Sequence, residues 1–177
     1  DFFVPLPDDA DLAQRDIAAD LAASLSQARD YEDVLDLTRR WASDRRFQIG
    51  VQLIQGRIDG ERAGRDFTLV TEAVVAALLP AVEAEFARQH GNVESGAFAV
   101  LGLGKLGSRE MNILSDLDLI FVYRGDPAAE STGTARPLAT GAYYARLGQR
   151  LINALSAPTG EGSLYEVDMR LRPSGNA

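Results

Sequence analysis

The 177-residue chain carries 18 Lys and Arg against 26 Asp and Glu, a formal net charge of −8, with 46% hydrophobic residues, a globular composition able to bury roughly two thirds of its unfolded surface. It has no cysteine and one histidine, which excludes disulfide frameworks, thiol nucleophiles and cysteine-ligated zinc and leaves no basis for a histidine-rich metal site. The negative mean field disfavours charge-driven nucleic-acid binding, and no run approaches the roughly 18 uninterrupted apolar residues of a membrane helix, so neither nucleic acid nor membrane is an expected partner.

The opening DFFVPLPDD has no basic flank before an apolar targeting core, and a cytoplasmic location is expected. The first residue is not methionine and the last, Pro173 to Ala177, follow an apolar run, which reads as a piece of something longer. From Asp8 to about His90 the pattern is helical, with no proline between Pro7 and Pro80. Leu12, Ile17, Leu21 and Leu25 form one stripe within Asp11 to Arg29, and Val34, Leu37 and Trp41 form another. The segment Phe47 to Ile54 reads as a strand or a short helix, since its apolar residues partly alternate and Gly50 interrupts them.

Thr68 to Gln89 reads as a helix through Leu69, Ala73, Ala76, Leu79, Val82 and Phe86, kinked or divided at Pro80. Beyond His90-Gly91-Asn92 the texture becomes β-branched and glycine-rich. Ala97 to Leu101 is expected as a buried strand with Leu117 to Tyr123 beside it. Arg124 to Ala139 reads as an exposed, mobile loop. Tyr143, Leu147, Leu151 and Leu155 mark a helix stopped by Pro158 and Gly160, and Leu164 to Arg170 is a third strand.

Ser115-Asp116-Leu117-Asp118-Leu119 is the sharpest chemical feature. In an extended segment Asp116 and Asp118 share one face while Leu117, Leu119 and Phe121 point into a core. Their α-carbons would lie about 6.5 Å apart, suited to carboxylates sharing two divalent ions about 3.5–4 Å apart. In the third strand Glu166, Asp168 and Arg170 alternate with Tyr165, Val167 and Met169. If the two strands neighbour each other, Asp116, Asp118 and Asp168 converge on magnesium or manganese, and Asp168 is also placed to activate an attacking hydroxyl. Arg170 and Arg172 offer donors to phosphate oxygens. A solvated acidic sheet face is the competing reading.

Gly102-Leu103-Gly104-Lys105-Leu106-Gly107-Ser108 offers amides and side chains to phosphate, with Arg109 adjacent. It matches G-x-G-x-x-G, but the eight residues between Gly107 and Asp116 are too few for a right-handed crossover between parallel strands. No G-x-x-x-x-G-K-[ST] string occurs, and a plain tight turn stays open. His90 reads as a helix-terminal or surface residue, and Trp41 and Phe86 as core anchors. With the histidine outside the cluster in sequence and no G-x-S-x-G string, serine nucleophile chemistry has no support; acid–base work on a glycoside by two carboxylates stays open.

The run from Gly102 to Ile120 resembles the signature of the glutamine synthetase adenylyltransferase family, G-K-L-G-x-x-E-x-x-x-x-S-D-x-D-L, and Leu164 to Asn176 is similar to its Y-x-V-D-x-R-L-R-P-x-G block. The resemblance implies an α+β chain: a helical lead-in over residues 1–66, then over 67–177 a polymerase-beta-like nucleotidyltransferase domain with a small mixed sheet flanked by helices. It implies transfer of AMP from ATP to a tyrosine of glutamine synthetase with release of pyrophosphate, because the ending R-L-R-P-S-G-N-A looks like the family's second, AMP-attaching domain.

Carried onto this chain, the resemblance makes Asp116, Asp118 and Asp168 the ligands of two magnesium ions. Gly104, Gly107 and Ser108 would contact the nucleotide phosphates, with Lys105 neutralising them and Ser115 and Arg170 completing the binding set. Ser108 stands where many members have a second glycine. A nitrogen-signalling regulatory protein is the further partner implied for the full-length enzyme. The phosphorolytic adenylyl-removing domain, a noncatalytic protein-binding module with an acidic sheet face, and a metal-dependent phosphohydrolase are the alternatives.

Overall fold

The structure, a computed structural model, describes residues 16–133 and 137–168. Three helices come first: α1 (Ile17–Leu25), α2 (Tyr31–Ile54) and α3 (Gly60–His90). Each begins behind an aspartate whose carboxylate accepts an otherwise orphaned amide of the first turn. The pairs are Asp16 with Ala19 N (3.0 Å), Asp30 with Asp33 N (2.8 Å) and Asp59 with Arg62 N (2.7 Å). Ile17 and Leu21 are buried as the predicted first stripe requires; Leu12 lies outside the described residues.

Phe47 to Ile54 is the last third of α2, and its partial alternation misleads. The inward positions are Trp41, Ala42, Ile49 and Gln52, at helical spacing, whereas Phe47, Leu53 and Ile54 face solvent. Trp41 is a core residue whose Nε1 donates to Asp20 Oδ2 on α1 (3.0 Å).

Helix α3 is the central element and packs against α1, α2 and α5. It buries Val70, Val74, Leu78, Val82 and Phe86 in one row, each side chain worth about 1.5–3 kcal/mol when fully buried. The predicted row of Leu69, Ala73, Ala76 and Leu79 is one position off in the first half of the helix. There the inward arc also holds Thr68 and Thr71, whose hydroxyls are satisfied by the carbonyls of Gly64 (2.8 Å) and Phe67 (2.9 Å), so polarity no longer marks the outer face. Pro80 does not divide the helix. It is exposed, as is Ala76, whose carbonyl loses its i+4 donor to the proline and can bond water instead. α3 is the one helix among the described residues long and apolar enough to cross a membrane by length and composition, yet its apolar row is core. It runs unbroken across residues 66 and 67.

Among the described residues the second half is a three-stranded sheet in the order β1-β2-β3 with two helices. β1 (Ala97–Gly102) pairs antiparallel with β2 (Leu117–Arg124), with Gly102 opposite Leu119. β2 pairs parallel with β3 (Val167–Asp168), where Asp118 faces Asp168 in register. Between β1 and β2 lies α4 (Gly104–Ser108). The antiparallel pairing needs no crossover, which disposes of the dinucleotide-fold reading of the glycines. The fold is therefore α+β with a small mixed sheet, consistent with a nucleotidyltransferase-like architecture.

β1 is not a buried strand. It lies at the edge of the sheet, its residues alternate between exposed and half-buried, and Leu101 remains 49% exposed. Among the described residues the helices lie on one face of the sheet, where α5 (Thr140–Ser156) buries Tyr143, Tyr144, Leu147, Leu151 and Leu155. Tyr144 stacks on Phe98 at 5.8 Å, Phe98 meets Phe121 at 5.4 Å, and a Cβ on Gly148 would stand 2.7 Å from the Phe121 ring. Glycine there lets α5 approach the sheet closely.

The described residues of the segment 124–139 are better anchored than its composition suggests. Glu130 and Ala139 form a β-bridge, Thr140 Oγ1 donates to Asp126 O (2.6 Å), and Ser131 and Leu138 are buried. Thr132 N reaches Asn92 O (3.0 Å), and Gly133 N reaches His90 O (2.8 Å), tying the loop to the end of α3. His90 is the last residue of that helix, with Gly91 as its C-cap, and its ring lies 4.5 Å from that of Phe86.

Candidate metal and nucleotide site

Asp116 immediately precedes β2, Asp118 is its second residue, and Asp168 ends the described part of β3. Leu117 N donates to Glu166 O at 2.8 Å, which sets the parallel register and aligns Asp118 with Asp168. The alternation sends Leu117 and Leu119 into the core and leaves the aspartates on the opposite face. One carboxylate oxygen from each of Asp116, Asp118 and Asp168 lies within 4.8 Å of the other two; Asp116 is exposed and the others are half-buried. Three carboxylates so close repel one another, and an oxygen-only donor set of this charge suits a hard divalent cation.

The glycine segment arrives at the same place. Leu103 N donates to Asp118 O (2.8 Å), so α4 starts against the strand that carries the carboxylate. Gly104 has φ +50°, and a Cβ there would collide with Asp118 Oδ2. Gly107 is equally confined, since its Cβ would lie 2.9 Å from Gly102 O. The expected tight turn is thus a short helix, in which Leu106 is buried and Lys105 and Ser108 are exposed. Ser108 Oγ bonds Glu110 Oε2 at 3.2 Å, and the left-handed Arg109 (φ 61°) pairs with Glu72 of α3 at 3.1 Å. The cavity of about 470 Å³ bordered by Gly102, Gly107, Arg109, Glu72 and Leu119 lies on the helix side of the sheet, away from the three carboxylates.

Ser115 is buried at 6% exposure, where its hydroxyl accepts Asn112 N (3.0 Å) and its amide donates to Asn112 O (3.1 Å). In this structure it closes the turn that delivers Asp116. Arg170 and Arg172 lie outside the described residues.

Two arginines that brace this half of the structure, Arg46 and Arg39, carry no sequence signature, whereas Tyr165 between them opens the Y-x-V-D string. Arg46 of α2 donates from Nη1 to Leu164 O (2.9 Å) and from Nη2 to Ile113 O (2.5 Å), with its guanidinium 5.2 Å from the centre of the Tyr165 ring. Tyr165 is buried, shares a hydrogen bond with the Thr71 hydroxyl (3.0 Å) and donates its amide to Leu155 O (3.1 Å). Burial pushes its phenol above the usual tyrosine range, against the opposing effects of the Thr71 bond and the Arg46 charge. Arg39, at 2% exposure, donates to the carbonyls of Leu35, Ala154, Ala157 and Gly162 at 2.7–3.0 Å, fastening the end of α5 and the following turn to α2. Burial lowers its pKa from the ordinary guanidinium value.

The glutamate-ammonia ligase adenylyltransferase family model matches residues 6–177. The chain belongs to this family. Among similar curated proteins, one from Brucella suis biovar 1 is 54% identical over 156 residues, which is 88% of this chain and 16% of that protein. One from Mesorhizobium japonicum is 52% identical over 160 residues, 90% of this chain and 16% of its own length. A third, from Agrobacterium fabrum, is 51% identical over 168 residues, 94% of this chain and 17% of its own length. Each is named a bifunctional glutamine synthetase adenylyltransferase/adenylyl-removing enzyme. The chain thus spans about a sixth of the length of these relatives.

Proposed function

We propose that this chain carries part of an AMP-attaching nucleotidyltransferase domain, which transfers AMP from ATP to a tyrosine hydroxyl of glutamine synthetase and releases pyrophosphate. The observation that carries the reading is the convergence of Asp116, Asp118 and Asp168 beside the backbone of Gly104, in a chain whose relatives are named for this activity. In this reading the catalytic domain covers residues 67–177 and residues 1–66 lead into it, with α3 shared between them, and the reaction belongs to the cytoplasm.

The three aspartates would hold two magnesium ions, which when bound supply Lewis-acid stabilisation of the charge that develops on the α-phosphate. Asp168 accepts the proton of the attacking tyrosine hydroxyl through a carboxylate oxygen, so that the oxygen attacks phosphorus with more negative charge. Gly104 and Gly107, which have no side chains, leave room for phosphate beside the strand end, while Lys105 and Ser108 offer donors from the exposed side of α4. Arg170 would add a further donor. Ser115 acts from behind, through the turn it closes. A nitrogen-signalling protein would regulate the full-length enzyme, and no nucleic acid or membrane takes part.

The test is incubation of a longer chain containing this segment with labelled ATP and glutamine synthetase, followed by a search for AMP on tyrosine. Label on tyrosine that is abolished by Asp116→Asn supports the reading. Label released only when phosphate is added to already modified glutamine synthetase assigns the segment to the removing reaction, and partner binding with no AMP transfer in either direction leaves only a noncatalytic role.

A further inference from the structure

The site is assembled from two chain segments distant in sequence, one carrying Asp116 and Asp118 and the other Asp168. Among the described residues β3 pairs with β2 at Leu117–Val167 and Asp118–Asp168, and Leu117 N donates to Glu166 O just before that ladder. Both segments continue backwards into loops: Ile113 stands three residues before Asp116, and Leu164 four residues before Asp168. Both loops end on the same side chain. The two amino groups of Arg46 take the carbonyls of Leu164 and Ile113, and the plane between them is packed on Tyr165.

We infer that Arg46 is the positioning residue of the site: its planar fork fixes the separation of the two carbonyls and thereby the distance between the Asp116–Asp118 pair and Asp168. A guanidinium suits this role because its two amino groups are rigidly spaced, whereas a lysine ammonium is a single point on a flexible stem. Thr71, through the Tyr165 hydroxyl, holds the ring against which the fork rests. The helical lead-in therefore sets the geometry of carboxylates that it does not touch. This inference rests on the proposed metal-binding reading for its chemical consequence, although the clamp can be read without metal.

The test compares wild type with Arg46→Lys and Arg46→Met, using Val82→Ala as a variant that weakens the core about three turns of α3 away from Thr71. The first readout is hydrogen exchange of the Leu117 amide, which reports the β2–β3 pairing directly. Both Arg46 variants are expected to speed it on the order of tenfold relative to neighbouring β1–β2 amides, and Val82→Ala to leave that ratio unchanged. The second readout is Mn²⁺ binding followed by electron paramagnetic resonance, expected to weaken about 10- to 100-fold in both Arg46 variants, as for the loss of a group that orients metal ligands. Unchanged relative exchange at Leu117, or exchange restored by lysine, overturns the clamp. Mn²⁺ binding by wild type that is indifferent to Asp116→Asn overturns the metal reading instead, and the exchange result then decides the clamp separately.

Discussion

Gly104 has no room for a side chain because Asp118 stands where its Cβ would go: the overlap is with Oδ2, one of the carboxylate oxygens of the strand. The same residue has φ +50°, a left-handed conformation that costs an L-residue about 1–2 kcal/mol. Two independent constraints thus meet at one glycine, and one of them bears directly on the acidic cluster.

Gly104→Ala is therefore expected to do more than destabilise. The methyl group must displace the Asp118 carboxylate or lift the start of α4 away from β2. We expect a fall in melting midpoint of several degrees together with at least a tenfold loss in Mn²⁺ affinity, whereas an exposed substitution such as Lys105→Ala should leave metal binding within twofold. Calorimetric titration of both variants separates the two effects. Equal metal binding by Gly104→Ala and wild type would show that the close approach has no chemical role.

Arg39→Met tests the fastening of α5 to α2. The substitution fills much of the volume but leaves the buried carbonyl of Ala154 without its donor, at about 1–3 kcal/mol, and removes the partly buried bonds to Leu35, Ala157 and Gly162 as well. A loss of about 3 kcal/mol or more is expected in urea denaturation. A change below about 1 kcal/mol would mean that water replaces the guanidinium without difficulty.

Four tyrosines give the fold an alkaline limit. Burial raises the phenol pKa of Tyr31, Tyr143, Tyr144 and Tyr165 above the usual value of 10.0. The folded state thus keeps protons that the unfolded chain releases, so their contribution is fully present below the unfolded pKa and is lost as pH rises through the folded values. Denaturation midpoints measured from about pH 8 upward should be flat until about pH 10 and then fall. Tyr165→Phe should soften that decline, since it removes the phenol packed between Arg46 and Thr71; an unchanged profile in this variant would place the alkaline sensitivity elsewhere.

The sequence discloses these features unevenly, for physical reasons. The row Tyr143, Leu147, Leu151 and Leu155 is legible because α5 has one buried face, and a single face leaves a clean period. α3 is packed on several sides, and threonines bonding their own helix occupy the inward arc, so the hydrophobic row reads one residue out of place. The alternation in Phe47 to Ile54 imitates a strand because Phe47, Leu53 and Ile54 are exposed, which composition cannot reveal. β1 is apolar and yet half exposed, since being at a sheet edge is a property of the neighbours and not of the strand.

The site follows the same division. Asp116, Asp118 and Asp168 are legible because alternation along a strand fixes which face a carboxylate takes. The braces behind them are not. An arginine that grips carbonyls, as Arg46 and Arg39 do, has partners more than sixty residues away that present no side chain to read. Ser115 belongs to a recognisable string, but only the structure assigns its hydroxyl to Asn112 N.

The central claim is that Asp116, Asp118 and Asp168 act as one cation-binding cluster, and the most direct measurement is Mn²⁺ titration of wild type and of the three single Asp→Asn variants. Wild type should bind two ions, and each substitution, Asp168→Asn included, should remove or weaken binding by at least 10²-fold, the scale expected for loss of a directly placed electrostatic partner. Binding by Asp168→Asn that matches wild type would contradict the account, because the acidic groups would then meet in space without sharing a ligand.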